Sequence, residues 1–229
     1  MSQQRSVHGN GFGRQLADLI GRRAIAFTSL RFRARETIYR GSAPGDSVFL
    51  LAAGRAKSVM HSRTGKNCLL RIHAPGEVLG ELALLGGLRQ ESAIAMCPTE
   101  VHRVSAAHLL RVMGSPAVHQ QLIRHLSERM GEQQQAISHL VNDDSEHRLG
   151  VALLDLADRL GQPENDAVRI GQRLTQEELA EMVGTTRSRI GFFLRRFQEC
   201  GGVEFCRGRV IMVRTQRLGA YLDARLDAC

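Results

Sequence analysis

No pair of cysteines in this chain has the spacing of a metal knuckle. Cys68, Cys97, Cys200, Cys206 and Cys229 fall in separate segments with no CxxC pair, which argues against a zinc or iron–sulfur framework. Their odd number argues against a disulfide scaffold, and Cys97, beside Pro98, reads as a packing thiol. Lysine is almost missing, since Lys57 and Lys66 are the only two. The positive charge is therefore carried by arginine, whose planar fork matches phosphates and guanine edges where lysine offers only a point charge. No apolar run is long enough to cross a membrane, and the N-terminal MSQQRSVHGNG is polar rather than signal-like, so a cytoplasmic protein without a membrane partner is expected. His61 and His73 stand alone, with no His-x-His pair to mark a metal-dependent jelly-roll enzyme. No nucleophile–base pairing can be read from residue order, so a non-enzyme without a metal is expected.

What is present is a soluble globular composition, 43% hydrophobic and 24% charged over 229 residues, enough for one large domain or two ordinary ones. The net charge of +8 and a pI near 10.0 favour a polyanionic partner.

The most informative stretch is Leu174 to Val203, which reads as two short helices around a tight turn. Thr175 and Glu178 form a Thr-x-x-Glu capping box that starts the first helix. Leu179, Met182 and Val183 give it an apolar face, Ala180 permits a close helix approach, and Gly184 ends it in a left-handed conformation. In the second helix Ile190, Phe193, Leu194 and Phe197 recur at spacings of three and four, leaving Arg187, Ser188, Arg189, Phe192, Arg195 and Arg196 mostly on other faces. After Gly201-Gly202, two strand-like runs flank Arg207-Gly208-Arg209, a hairpin with a basic tip. A helix-turn-helix followed by such a hairpin is a winged helix domain.

Upstream, residues 1 to about 11 read as a tail and Phe12 to Ile25 as a short helix. From Thr28 to Val104, short apolar segments are cut by glycine turns. Ser47–Ala52, Ala56–His61, Asn67–His73 and Glu100–Ser105 have strand length, Thr64-Gly65-Lys66 suits a hairpin turn, and the punctuation predicts an antiparallel sandwich or jelly roll. After Ser115-Pro116 the pattern is helical to about Val141. Leu122, Leu126, Met130, Gln133, Ile137, Leu140 and Val141 form a narrow stripe near coiled-coil spacing, which suits either a helix packed on its own domain or, preferred because the stripe is narrow and the other faces are polar, a dimer interface. Asn142-Asp143-Asp144-Ser145 breaks the run and marks a boundary. Beyond it Leu149, Leu153, Leu156 and Leu160 make a core face, Gly161-Gln162-Pro163 ends that helix, and Val168–Ile170 suits a short strand. The expected organisation is α+β: a sensor domain of helix and β-roll over 1–115, a dimerisation helix over 116–141, and a winged helix-turn-helix domain over 142–229.

This order of parts resembles the CRP/FNR family of bacterial transcription regulators across nearly the whole chain. The glycines Gly41, Gly45 and Gly54, the run Pro75-Gly76-Glu77-Val78-Leu79-Gly80-Glu81-Leu82, the segment Leu174–Leu194 and the run Gly208–Val213 carry the likeness. The resemblance implies a homodimer that reads double-stranded DNA and meets RNA polymerase. Thr185, Thr186, Arg187, Ser188 and Arg189 would enter the major groove, and Thr175 and Arg209 would hold phosphates. Ser188 stands where the family often has glutamate and Phe192 where it often has arginine, so the familiar operator does not carry over. Arg195, Arg196 and Arg214 are alternatively only a solvated face.

The resemblance also implies a small effector, a cyclic nucleotide in some members, near Gly80, Glu81, Leu82, Arg89, Ser92, Ala93 and Ser138. Ungapped counting puts Glu91 where the phosphate-binding arginine belongs, and a carboxylate there repels a cyclic phosphate, so no cofactor is assigned. Arg89, two residues earlier, is the substitute. A rival reading is a small-molecule sensor that acts through protein partners.

Overall fold

The run SVFLLAA has no polar alternation because both of its faces are covered. In the computed structural model, which describes residues 11–62, 65–84, 86–112, 114, 116–206 and 210–226, it forms strand β3 (Ser47–Ala53). Successive side chains of a strand point to opposite sides, so Val48 and Leu50 pack into one core while Phe49 and Leu51 pack into another. Strands β1 (Thr28–Phe32), β6 (Val78–Leu79) and β8 (Thr99–Ser105) complete its sheet in the order β1-β8-β3-β6. Facing it is a second antiparallel sheet, β2-β7-β4-β5, made of β2 (Thr37–Tyr39), β4 (Ala56–His61), β5 (Asn67–His73) and β7 (Ser92–Ala95). Tyr39, Ala56 and Ala93 from the second sheet meet Phe49, Leu51, Leu79 and Val101 from the first, which closes the roll. The outer face of the first sheet is sealed by α1 (Gly11–Gly21), α2 (Ala106–Val112) and the start of α3 (Pro116–Asn142), through Phe12, Leu16, Leu109, Val118 and Leu122.

Helix α1 stops at Gly21, four residues before the expected end, although Ile25 is still buried. The hairpin between β4 and β5 is closed by Ser62 N–H to Lys66 O at 2.8 Å, with Gly65 at φ +79°; Thr64 lies outside the described residues. So do the N-terminal tail, residues 1–10, and the tip Arg207-Gly208-Arg209.

The chain divides into two compact units, 1–133 and 134–229, and α3 runs from one into the other. In the second unit, α4 (Ser145–Leu160) buries Leu149, Leu153, Leu156 and Leu160 as its periodicity dictates. Gly161-Gln162-Pro163 does more than stop that helix: Gly161–Glu164 is strand β9, paired with β10 (Ala167–Ile170) at the border of the sheet β11-β12-β10-β9. Proline is admissible there because an edge strand can spare an N–H. Helices α5 (Gln176–Val183) and α6 (Arg187–Glu199) precede β11 (Val203–Cys206) and β12 (Val210–Val213), and α7 (Thr215–Leu226) ends the fold.

The apolar stripe of α3 is corrected at two residues, Leu122 and Leu126. Leu122 is 6% exposed within its own unit, and Leu126 packs beside that core. Ile123, at 55% exposure, takes the place given to Leu122, so that Ile123, Met130 and Ile137 repeat every seven residues on the surface. Leu140 and Val141 continue the exposed stripe, and Gln133 is exposed between them.

Candidate nucleic-acid interface and effector pocket

The helix-turn-helix is built by local chemistry. Thr175 caps α5 by accepting from Glu178 N–H at 3.1 Å, while Glu178 Oε2 accepts from Thr175 N–H at 2.9 Å, the reciprocal capping box. Gly184 has φ +69°, the left-handed turn that ends α5. Thr186 then caps α6, accepting from Arg189 N–H at 3.4 Å and sharing a hydrogen bond with Ser188 at 3.1 Å. Ile190, Phe193, Leu194 and Phe197 are buried, which fixes the roll angle of α6. The opposite consequence is that Thr186, Arg187, Ser188 and Arg189 are exposed at its N-terminal end, with Thr185 half-buried beside them. Phe192 is 54% exposed on the same helix. No acidic side chain pairs with Arg187 or Arg189 among the described residues, and the Arg189 guanidinium lies 5.6 Å from the Phe193 ring.

Two arginines read as a solvated face have structural partners instead. Arg196 Nη1 donates to Glu146 Oε2 at 2.9 Å, and Arg214 bridges Asp166 at 3.0 Å and Glu204 at 3.1 Å. Arg195 is exposed. Glu146, which the sequence did not single out, is 3% exposed and also accepts from Tyr221 Oη at 2.6 Å and from Arg225, so one carboxylate ties α4 to α6 and α7. Its partners lie 50 to 79 positions away, beyond any local pattern. Arg209 is outside the described residues.

In the first unit the expected effector residues are held by their own neighbours. Gly80, at φ +79°, precedes a single 3₁₀ turn, Glu81–Ala83. A Cβ on Gly80 would sit 2.4 Å from Arg89 Nη1, so the glycine makes room for that guanidinium. Arg89 is buried, donates to Ser47 O at 2.7 Å and Gly80 O at 3.4 Å, and stacks 4.2 Å from the centroid of Tyr39. Glu91, 8% exposed, accepts from Tyr39 Oη at 2.8 Å; burial and the Glu91 charge push the Tyr39 phenol far up. Ser92 Oγ accepts from Gly41 N–H at 2.9 Å, Ala93 lies in the roll core and Leu82 is exposed.

The buried Glu81 carboxylate faces α3, 3.5 Å from His125 Nε2 and 3.6 Å from Arg129 Nε. Burial alone would raise its pKa, but His125 and Arg129 hold it below the ordinary value. Arg71 is likewise committed to Glu77 at 3.1 Å and to Glu132. Ser138 belongs to the second unit, where its Oγ accepts from Asn142 Nδ2 at 3.1 Å. A cyclic phosphate needs a free cation and a ribose needs a free carboxylate. Arg89 is turned into the roll, Glu91 occupies the neighbouring place and Glu81 is paired, so these residues do not fit a cyclic nucleotide in this arrangement. A cavity of about 290 Å³ beside these residues is lined by Arg40, Asp46, Arg89, Arg103, Tyr39 and Phe49 among others.

A β-roll followed by a winged helix-turn-helix defines a DNA-binding transcription regulator. Comparison with known proteins agrees on both parts. Residues 29–115 match the cyclic nucleotide-binding domain family and residues 147–221 the Crp-like helix-turn-helix domain. The CRP-like cAMP-activated global transcriptional regulator of Mycobacterium tuberculosis is 31% identical over 191 residues, covering 82% of this chain and 84% of its own. Among solved structures, FixK2 from Bradyrhizobium japonicum has a TM-score of 0.75 at 21% identity, covering 86% of this chain and 97% of that one. The c-di-GMP responsive regulator CLP of Xanthomonas campestris has a TM-score of 0.72 at 20% identity, covering 86% and 98%. The chain belongs to the CRP/FNR family of transcription regulators.

Proposed function

We propose that this protein is a homodimeric regulator that reads a roughly palindromic DNA site, one α6 per half-site, with half-sites one helical turn or about 34 Å apart. The observation that carries this reading is the N-terminal end of α6. Four aromatic or aliphatic residues are buried to orient the helix, and Arg187, Ser188 and Arg189 stand exposed at the end that enters a major groove. Arg187 is the base-reading residue, Arg189 and Thr185 flank it, and Thr175 and Arg209 hold phosphates. Thr186 contributes first as the cap that fixes this end.

The dimer forms along Ile123, Met130, Gln133, Ile137, Leu140 and Val141. The regulator acts in the cytoplasm on RNA polymerase and catalyses no reaction; no helix among the described residues is long and apolar enough to cross a membrane. Its three functional segments are the sensor to residue 115, the helix 116–141 and the reader from 142. An effector in the roll, if it gates the protein, must prefer one arrangement of the reader over another. We infer that it is not a cyclic nucleotide, because Arg89, Glu91 and Glu81 are already committed to Tyr39, Ser47, His125 and Arg129.

Selection of bound genomic fragments tests the central claim. Wild-type protein should enrich a two-fold site, and Arg187→Ala with Arg189→Ala should lose it; unchanged enrichment would sink the reading. Met130→Glu with Ile137→Glu should give monomers in sedimentation. Calorimetry with cyclic AMP should show no binding, and micromolar affinity would overturn the inference about the pocket.

A further inference from the structure

Three side chains at the junction of α3 and α4 have no part in reading DNA. His139 lies in the last turn of α3, Asp143 in the break and His147 in the first turn of α4. Asp144 makes the break by capping α4, accepting from Glu146 N–H at 2.9 Å and His147 N–H at 2.7 Å. Both imidazoles then address a single carboxylate oxygen. His139 Nδ1 is 2.6 Å and His147 Nδ1 2.8 Å from Asp143 Oδ2, and all three donor atoms lie within 4.8 Å of one another. Asp143 and His147 are each 14% exposed at the side chain and His139 39%, so the group is sheltered yet open on one side.

We propose that His139, Asp143 and His147 bind a divalent transition-metal cation of the zinc type, through Nδ1, Oδ2 and Nδ1, with the remaining position taken by water. The donor set decides the class. Two imidazoles with one carboxylate suit zinc and its neighbours in the first row, whereas magnesium and calcium prefer oxygen alone. Zinc–ligand bonds of about 2.0–2.2 Å at tetrahedral angles set neighbouring donors roughly 3.3 Å apart. The present 2.6 and 2.8 Å must therefore open by about 0.6 Å, a distance that side-chain rotation supplies. Each ring binds the cation through Nδ1 as the tautomer that carries its proton on Nε2, so a neutral Nδ1–H ring only moves that proton to Nε2 through solvent, with no net proton released.

The backbone around the site is also fixed. Arg148 donates from Nη1 to Asp143 O at 2.6 Å and from Nε to Val183 O at 2.9 Å, so the residue that would hold the cation is braced against the end of α5. Binding would stiffen the joint from which the helix-turn-helix is carried. The site itself does not depend on the DNA reading.

Zinc titration of the full chain against a chromophoric chelator tests the proposal, with cobalt(II) as a spectroscopic probe. One cation per chain is expected. His139→Gln with His147→Gln, which leaves amide donors for Asp143, should weaken binding by at least about 100-fold, since even outer-shell partners are worth 10–100-fold. Asp143→Asn alone should also lose it, which keeps the test decisive should the double variant fold poorly. Cobalt should show tetrahedral d–d bands without a thiolate charge-transfer band. Unchanged zinc affinity in these variants would overturn the proposal, as would a charge-transfer band that disappears when Cys200 and the other thiols are alkylated.

Discussion

The buried charges of the first unit and the exposed charges at the end of α6 in the second are used in opposite ways. In the first, Arg71, Arg89, Arg129, Glu77, Glu81 and Glu91 turn toward one another or toward buried dipoles, so the roll closes around its own ions. In the second, Arg187 and Arg189 project from the end of α6 with no acidic partner among the described residues. Burial of an ion is costly unless it is paired, while an exposed unpaired cation is cheap and free to meet a phosphate or a guanine. Paired ions inside the roll hold shape, whereas the unpaired cations at the end of α6 are free to touch a polyanion.

The comparison can be broken at its strongest point first. Glu146 is the exception in the second unit, a buried carboxylate shared by Arg196, Arg225 and Tyr221. Glu146→Ala leaves Arg196 without its carboxylate, Arg225 with Asp144 alone and the Tyr221 hydroxyl without its acceptor, and should cost about 3 kcal/mol in denaturant unfolding, the low end for a broken buried pair because both guanidiniums are about a third exposed. Arg187→Ala should leave stability unchanged and cost about 1–3 kcal/mol in affinity for the selected site, with a similar loss across sites if the residue touches only phosphate. Arg89→Ala removes a guanidinium that satisfies Ser47 O and stacks on Tyr39, and should cost about 1–3 kcal/mol of stability without affecting DNA affinity of the folded dimer.

The smallest effect concerns His73, which burial holds below its ordinary pKa despite Glu77 at 3.3 Å. The unfolded chain then binds the proton more readily than the folded one. Stability should fall as pH drops below the unfolded value near 6.5, by at most about 1.4 kcal/mol per pH unit, and should level off below the folded value. His73→Gln should flatten that slope in urea melts; an unchanged slope would assign it to other histidines.

Much of the reader was legible in the sequence because its determinants are local. The capping box at Thr175, the turn at Gly184 and the buried face of α6 each depend on residues within a few positions. Strands β3, β4, β5 and β8 were legible from their length and glycine borders. Strands β2 and β6, of three and two residues, are too short to show a period, and β1 lies mostly exposed. Among its described side chains helix α7 offered only Leu218 and Leu222 as fully buried residues, a weak stripe interrupted by Gly219. The roles of Arg89, Arg196 and Arg214 could not be read locally, because each is decided by partners some ten to fifty positions away. Ile123 could have been chosen over Leu122 from its seven-residue spacing to Met130, but which of two adjacent apolar residues faces inward is settled by the roll that α3 lies on.

The border strand β9 has a consequence for behaviour at high concentration. An open sheet edge is a template on which another chain can crystallise strand by strand. Pro163 removes an N–H from that edge, and Glu164, paired with Arg169 at 3.2 Å, sets an ion pair beside it. Chains crowded together on neighbouring sites can therefore meet at this flank without being stitched into aggregates.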